Sequence, residues 1–416
     1  MRILCLLLLL GWSLAPAAAR ALTPPDSTDP TAATHPVEPV RPLFDPPPWP
    51  AYAGASVGYT HAASPFRTAS PLYLDVPPVR YNRAEGLVVG LHRDPLNWHG
   101  SRHAKVFGQV GYATALRDIR YAVGGEVRVY ETRASGLKLG AFYHENTHTI
   151  DAWKSAWVEN SLAALVAGYD AFDYYEAQGV RAYAMQRLGP ALVLSGGFEA
   201  AVHRSLPQGT DWSVFGDRFR PNPAIAPGQL HAVVLAATTG RVRNRASLPT
   251  GHALRVTAEL GQGVGGDFSF NRYRADARAY LRTSDATRLL MRLRGGYGTA
   301  GTPIQRQFAL GGRGTMRGYP QNAFRGTQAL VGTVSVLMRD ATLIDPFDDV
   351  FLSLFADAGW VGAPGVRFAA ADVLPSAGFG IGLDDRQLRL EVAWPLRNVN
   401  GEGYRPSIGL RIAPNF

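Results

Sequence analysis

From about residue 51 onward the chain breaks into segments in which one parity is apolar and the other polar or small. A period of two marks a β-strand with two different faces. In 387–396, Leu388, Leu390, Val392, Trp394 and Leu396 share one face, and Arg389, Glu391 and Ala393 share the other. In 350–360, Val350, Leu352, Leu354, Ala356, Ala358 and Trp360 oppose Phe351, Ser353, Phe355, Asp357 and Gly359. The last ten residues set Ile408, Leu410, Ile412 and Phe416 against Ser407, Gly409, Arg411 and Asn415. The pattern predicts strands near 51–60, 84–93, 104–114, 119–131, 136–144, 178–187, 191–203, 229–239, 252–262, 271–283, 287–297, 328–339, 350–360, 376–383, 387–396 and 407–416.

Strands of a soluble sandwich usually run about 5–6 residues, whereas a tilted strand crosses a bilayer in about 9–11. Most of these segments have the longer length, and Tyr112, Tyr143, Trp360 and Trp394 stand at segment ends, where interfacial girdles lie. Connections after even-numbered strands are mostly short (132–135, 188–190, 284–286, 384–386); those after odd-numbered strands include 61–83, 145–177, 204–228 and 298–327. Short turns on one side and long loops on the other are the asymmetry of an outer-membrane barrel. The predicted fold is all-β, a closed transmembrane antiparallel barrel of about sixteen strands over 51–416.

Met1-Arg2, the apolar run Ile3–Leu14 and the small residues Ala17–Ala19 predict a signal peptide over 1–21. Residues 22–50 carry ten prolines, including Pro46-Pro47-Pro48, and predict an extended tether. Among 416 residues, 46% are hydrophobic and 18% charged, which excludes a disordered tail protein. With 45 Gly and 30 Pro, a helical bundle is excluded too. The one cysteine, Cys5, falls in the leader, so the remainder has no disulfide, thiolate nucleophile or Cys-based metal site.

A net charge of +9 raises the question of a nucleic-acid or anionic-lipid surface. However, Arg255, Arg274, Arg278, Arg292, Arg294, Arg389 and Arg411 take the inward parity and line a lumen. Either they pair with the inward acids Asp276, Glu259 and Glu391, or they form an electropositive path for anions or polypeptide. The expected partners are outer-membrane lipid and lipopolysaccharide, and client polypeptides, with no nucleic acid and a monomeric barrel.

Leu310-Gly311-Gly312-Arg313-Gly314-Thr315-Met316-Arg317-Gly318-Tyr319 lies in the 298–327 connection. Glycines at this density let backbone approach other structure closely, and an arginine among them is a long bidentate donor. Two strands later comes Phe355-Ala356-Asp357-Ala358-Gly359, its aspartate on the inward parity. An Arg317–Asp357 pair would hold the loop as a plug, with Tyr319 beside it. The alternative is a Gly-rich surface loop and an unrelated aspartate.

His144-Glu145-Asn146-Thr147-His148 fits H-E-x-x-H, whose zinc chemistry needs a helix. Alternation from Leu137 to Tyr143 instead makes His144 the end of a strand and leaves His148 in the following loop. Ile150, Trp153, Trp157, Leu162, Leu165 and Tyr169 recur at helical spacing, predicting an amphipathic helix over 150–169 packed on the barrel rim. No phosphate-binding Gly motif or nucleophile elbow occurs. No catalytic residue, metal or cofactor is assigned, and the chain is not read as an enzyme.

The string Met316-Arg317-Gly318-Tyr319 resembles the (V/I)RG(F/Y) signature of the lumen loop of outer-membrane assembly and secretion barrels, the BamA/TamA type and their two-partner-secretion relatives, also called the bacterial surface antigen family. Phe355–Gly359 is similar to that family's F-x-D-x-G strand motif, and five strands after the loop ending in Phe416 match its layout. The resemblance covers about 300–416 closely and the rest in architecture. It implies that Arg317, Gly318 and Tyr319 form the loop tip, Asp357 their partner and Phe416 the terminal strand signal. It also implies insertion or passage of polypeptides through a weak seam between first and last strands. Two departures stand beside it. The family usually carries periplasmic client-capture modules, which Leu22–Pro50 is too short to contain, and Leu330–Arg339 lacks the acidic residue common there. A plugged or passive pore, or a surface antigen without transport, is the alternative function.

Overall fold

A computed structural model describes residues 76–97, 103–132, 134–216, 218–245, 248–338, 350–383, 388–399 and 405–412. The expected leader, tether and first strand 51–60, and Phe416, lie outside them. Eighteen strands follow in chain order: β1 (Arg80–Asn82), β2 (Gly86–Asn97), β3 (Ala104–Ala113), β4 (Asp118–Glu131), β5 (Ser135–His148), β6 (Tyr175–Leu188), β7 (Leu192–Ser205), β8 (Gly228–Arg245), β9 (Leu248–Leu260), β10 (Asn271–Arg282), β11 (Thr287–Gly298), β12 (Phe308–Leu310), β13 (Phe324–Gly326), β14 (Gln328–Met338), β15 (Phe351–Gly362), β16 (Leu374–Leu383), β17 (Leu388–Pro395) and β18 (Ser407–Ile412). Sixteen form one sheet in sequence order, each antiparallel to the next, and β12–β13 is a separate hairpin inside the β11–β14 connection.

Alternation builds this sheet because its two faces meet different media. Outward Val110, Val123, Leu139, Val180, Leu235 and Leu293 are 42–53% exposed, while inward Arg181, Glu199, Glu259, Asp276 and Arg389 are 7% exposed or less. Apolar outside and charged inside is stable only where the outer face meets hydrocarbon. Among the described residues no helix is long and apolar enough to cross a membrane. Loop residues reach β7, β9, β11, β15 and β17, which requires the sheet to curl around them. Among the described residues β1 pairs only with β2, and β18 only with β17.

Two sequence expectations need correction. The strand expected to end at His144 continues to His148. Beyond the apolar band the outward face no longer has to be apolar, so alternation fades while the ladder with β6 goes on from His144↔Gly179 to His148↔Tyr175. The helix expected over 150–169 is α1, Trp157–Ala167, ended by Gly168 at φ 63°. Residues before it turn on Asp151, which accepts from Lys154 N at 2.8 Å through its carbonyl and pairs with Lys154 Nζ at 2.6 Å. α1 lies against β1 and β18 and buries Glu159 and Asn160. Tyr81 N donates to Ser161 Oγ, and Arg411 Nε to Glu159 Oε1 at 2.6 Å.

Candidate functional site

The long connection between β11 and β14 enters the lumen and ends in the Gly311–Tyr319 turn. Gly318 has φ 96°, and a Cβ there would lie 2.8 Å from Pro395 N and 2.9 Å from Trp394 C, so only glycine lets the tip rest on β17. Gly359 serves the same fit from the wall: a Cβ would come 2.2 Å from Sδ of the fully buried Met316. Met316 and Tyr319 pack with Phe308, Leu310, Ala329 and Val331 into an apolar cluster that seats the turn on its own hairpin strand β12 and on β14.

Arg317 is anchored on three sides. Its Nε donates to Asp357 Oδ2 and its Nη2 to Asp357 Oδ1, both at 2.8 Å, and its backbone N donates to Oδ2 at 3.1 Å. This is the bidentate fork with an added backbone bond. Nη1 donates to Glu391 Oε1 at 3.1 Å, and the guanidinium carbon lies 3.3 Å from the Phe355 ring centroid. Burial opposes the charge on Arg317, and the Asp357 and Glu391 carboxylates overcome it, raising its pKa above the ordinary arginine value. Tyr319 Oη donates to the carbonyls of Pro375 at 2.9 Å and Arg397 at 3.2 Å. The structure thus brings together Arg317, Gly318, Tyr319 and Asp357.

Sequence reasoning did not assign Glu391 to this group, although its inward parity was legible. The strand after the loop places Thr333 opposite Asp357, so the second carboxylate comes from β17 instead. Between β15 and β17, β16 turns Gly378 and Gly380 inward, opposite to its exposed Phe379 and Ile381, leaving room for one guanidinium to reach both acids.

Three further lumen acids among the described residues hold arginines in the same way. Glu199 pairs with Arg181 at 2.9 Å and with Arg306 of the loop at 3.1 Å. Glu259 pairs with Arg272 and Arg306, each at 3.1 Å. Asp276 takes Arg292 at 2.5 Å and Arg278 and Arg294 at 3.2 Å. Trp153, expected on a helix face, instead enters the lumen with its ring 3.5 Å from the Arg294 guanidinium.

At the loop-rich end, Asp173 accepts from Arg220 at 2.6 Å, Arg325 at 2.5 Å, Asn322 at 2.9 Å and Arg83 at 3.1 Å. It thereby ties the turn before β2 and the connections after β5, β7 and β11 together. Burial alone would raise the Asp173 pKa, but Arg220, Arg325 and Arg83 bring it down to about 2.

His144 and His148 share the lumen face of β5, their rings 5.1 Å apart, and His144 Nδ1 meets the Ala177 carbonyl at 3.1 Å. Glu145 takes the opposite face, accepting from Gln178 Nε2 at 3.0 Å. A strand cannot deliver the geometry of the helical zinc motif, in which Glu and both His serve one metal.

Residues 231–415 match the Omp85 superfamily domain. No curated protein sequence matches the chain. Among solved structures it is similar to BamA from Haemophilus ducreyi lacking POTRA domains 1–3, at 12% identity and a TM-score of 0.53, over 80% of this chain and 69% of that one. CdiB from Acinetobacter baumannii aligns at 12% identity and a TM-score of 0.45, over 80% of this chain and 58% of that one. CdiB from Escherichia coli aligns at 10% identity and a TM-score of 0.43, over 82% and 63%. At these identities the BamA match speaks to fold, and the Omp85 match covers every strand from β9 onward together with the loop.

Proposed function

From the premise that the chain carries an Omp85 superfamily domain and is an outer-membrane barrel of the assembly and secretion type, we propose that it promotes insertion or passage of polypeptides, with the lumen loop as its controlled element. The observation that carries this reading is the Arg317 guanidinium shared between Asp357 and Glu391. It ties the loop to the strands that lead to β18, so a change at the sheet's last strands is felt in the lumen and the reverse. Along β18, backbone groups that pair with nothing among the described residues are of the kind an incoming strand engages. No bond-making chemistry is needed for such work. Depletion of the chain should lower a defined set of outer-membrane or secreted polypeptides, restored by the wild type and not by Arg317→Ala. An unchanged envelope proteome would refute the proposal.

A second reading, a plugged pore without clients, draws on the number of anchors: Arg306, Arg317 and Arg325 each hold the loop to a different acid. It predicts wild-type polypeptide levels on depletion and a change only in conductance.

A further inference from the structure

Behind the Arg317 anchor, a cavity of about 20 Å³ is lined by Lys154, Arg278, Arg292, Arg317 and Arg411, with Asp357 as the carboxylate in its wall. The cations come from four places: the turn before α1, the β10–β11 wall, the loop and β18. Arg317 is paired with Asp357 in the lining itself, while the partners of the other four, Asp151, Asp276 and Glu159, stand outside it. Lys154 and Arg411 side chains are 1% and 3% exposed, and Arg292 and Arg317 are 9% exposed, so bulk water does not screen them. The wall next to it carries the same excess. In register around Asp276 stand Arg255 on β9 and Arg294 on β11, with the Arg278–Arg292 pair one inward position further on. Over their described residues the flanking strands β8 and β14 offer no acid on that face, which holds Val234, Ala236 and Thr238 on one and Val331, Thr333 and Ser335 on the other.

We propose that this cavity is a binding site for a small monovalent anion of halide size, chloride in the cell. Size and donor chemistry argue for it together. A volume of this order holds one particle of about the size of a water molecule, which fits a halide. Water has only two acceptor positions, whereas guanidinium and ammonium groups converging from several sides are donors only. An acceptor without protons adds a shared partner to groups already paired with carboxylates and offsets a buried excess of positive charge that is otherwise costly. Bound there, the anion joins turn, wall and loop, and it makes the seating of the loop depend on chloride.

Bromide substitutes for chloride and scatters anomalously, so the full chain crystallised with bromide as the halide tests the site directly. A bromide peak among Lys154, Arg278 and Arg292 is the expected result. In detergent solution at constant ionic strength, replacing gluconate with chloride should raise the unfolding temperature along a saturating curve. Arg292→Gln should lose that increment, and Arg278→Gln serves if the first variant does not fold. Absence of a bromide peak at the cavity, or a chloride increment that survives the substitution intact, overturns the proposal.

Discussion

Arg317 reaches Glu391, 74 residues away, at 3.1 Å while its other edge stays on Asp357 at 2.8 Å, so a single guanidinium joins β15 to β17 across β16. Removing one member of a buried pair leaves an uncompensated charge, at about 3–5 kcal/mol, against about 0–1 for an exposed pair. Arg317→Ala and Asp357→Ala should each make the 298–327 loop protease-sensitive and alter conductance in planar bilayers. Acting through one contact, the double variant should be no worse than the worse single. Additive defects, or wild-type behaviour of both singles, would contradict the pair.

Glu391→Gln should have the same direction and a smaller effect than Asp357→Asn, since it removes one of Arg317's charged acceptors and leaves the bidentate one. Limited proteolysis of the two variants side by side gives the order. The reverse order would assign the principal anchor to β17.

A second expectation concerns pH. The Asp173 pKa is depressed to about 2, below the unfolded value of about 3.9. Its contribution is therefore complete above pH ~4 and is lost as pH falls from there through about 2. Protease protection of the loops around Asp173 should fall across that window. In Asp173→Asn, protection should already be lower at neutral pH and the Asp173 part of the acid transition absent.

How much of this was legible in the sequence depended on where each residue's partner medium lay. Alternation in β10, β11, β15 and β17 was readable because lipid and lumen impose opposite demands on adjacent residues. It misled at Glu145–His148, where the strand has left the apolar band and only the ladder to β6 maintains it. Trp153 matched a helical stripe, yet its position is set by Arg292 and Arg294, far along the chain, which no local period reports. Arg317 and Asp357 could be proposed as partners from motif and parity. That Glu391 also meets Arg317 depends on β16 being bare at Gly378 and Gly380, a packing fact written across three strands.

For the histidine motif, the strand geometry predicts that Glu145→Gln leaves folding and the envelope proteome unchanged and that the purified chain carries no stoichiometric zinc. Zinc bound one to one and lost in His144→Ala/His148→Ala would reverse this assignment. That double variant, unlike Glu145→Gln, also removes buried side chains and should lower stability by itself.

The barrel makes its own demand on biochemistry: heat-modifiable migration on gels and recovery with the outer membrane. Purification as a soluble periplasmic monomer would be incompatible with the inside-out distribution of apolar and charged residues.

Reconstitution tests the central claim most directly. Liposomes containing the purified chain are given an unfolded outer-membrane polypeptide, and the rate at which it becomes protease-resistant in the bilayer is compared with empty liposomes. An assembly barrel with a lumen loop held by Arg317 should accelerate the reaction, and Arg317→Ala should change that rate at equal barrel content. The same rate in empty, wild-type and variant liposomes, for every polypeptide whose level falls on depletion, would contradict the account.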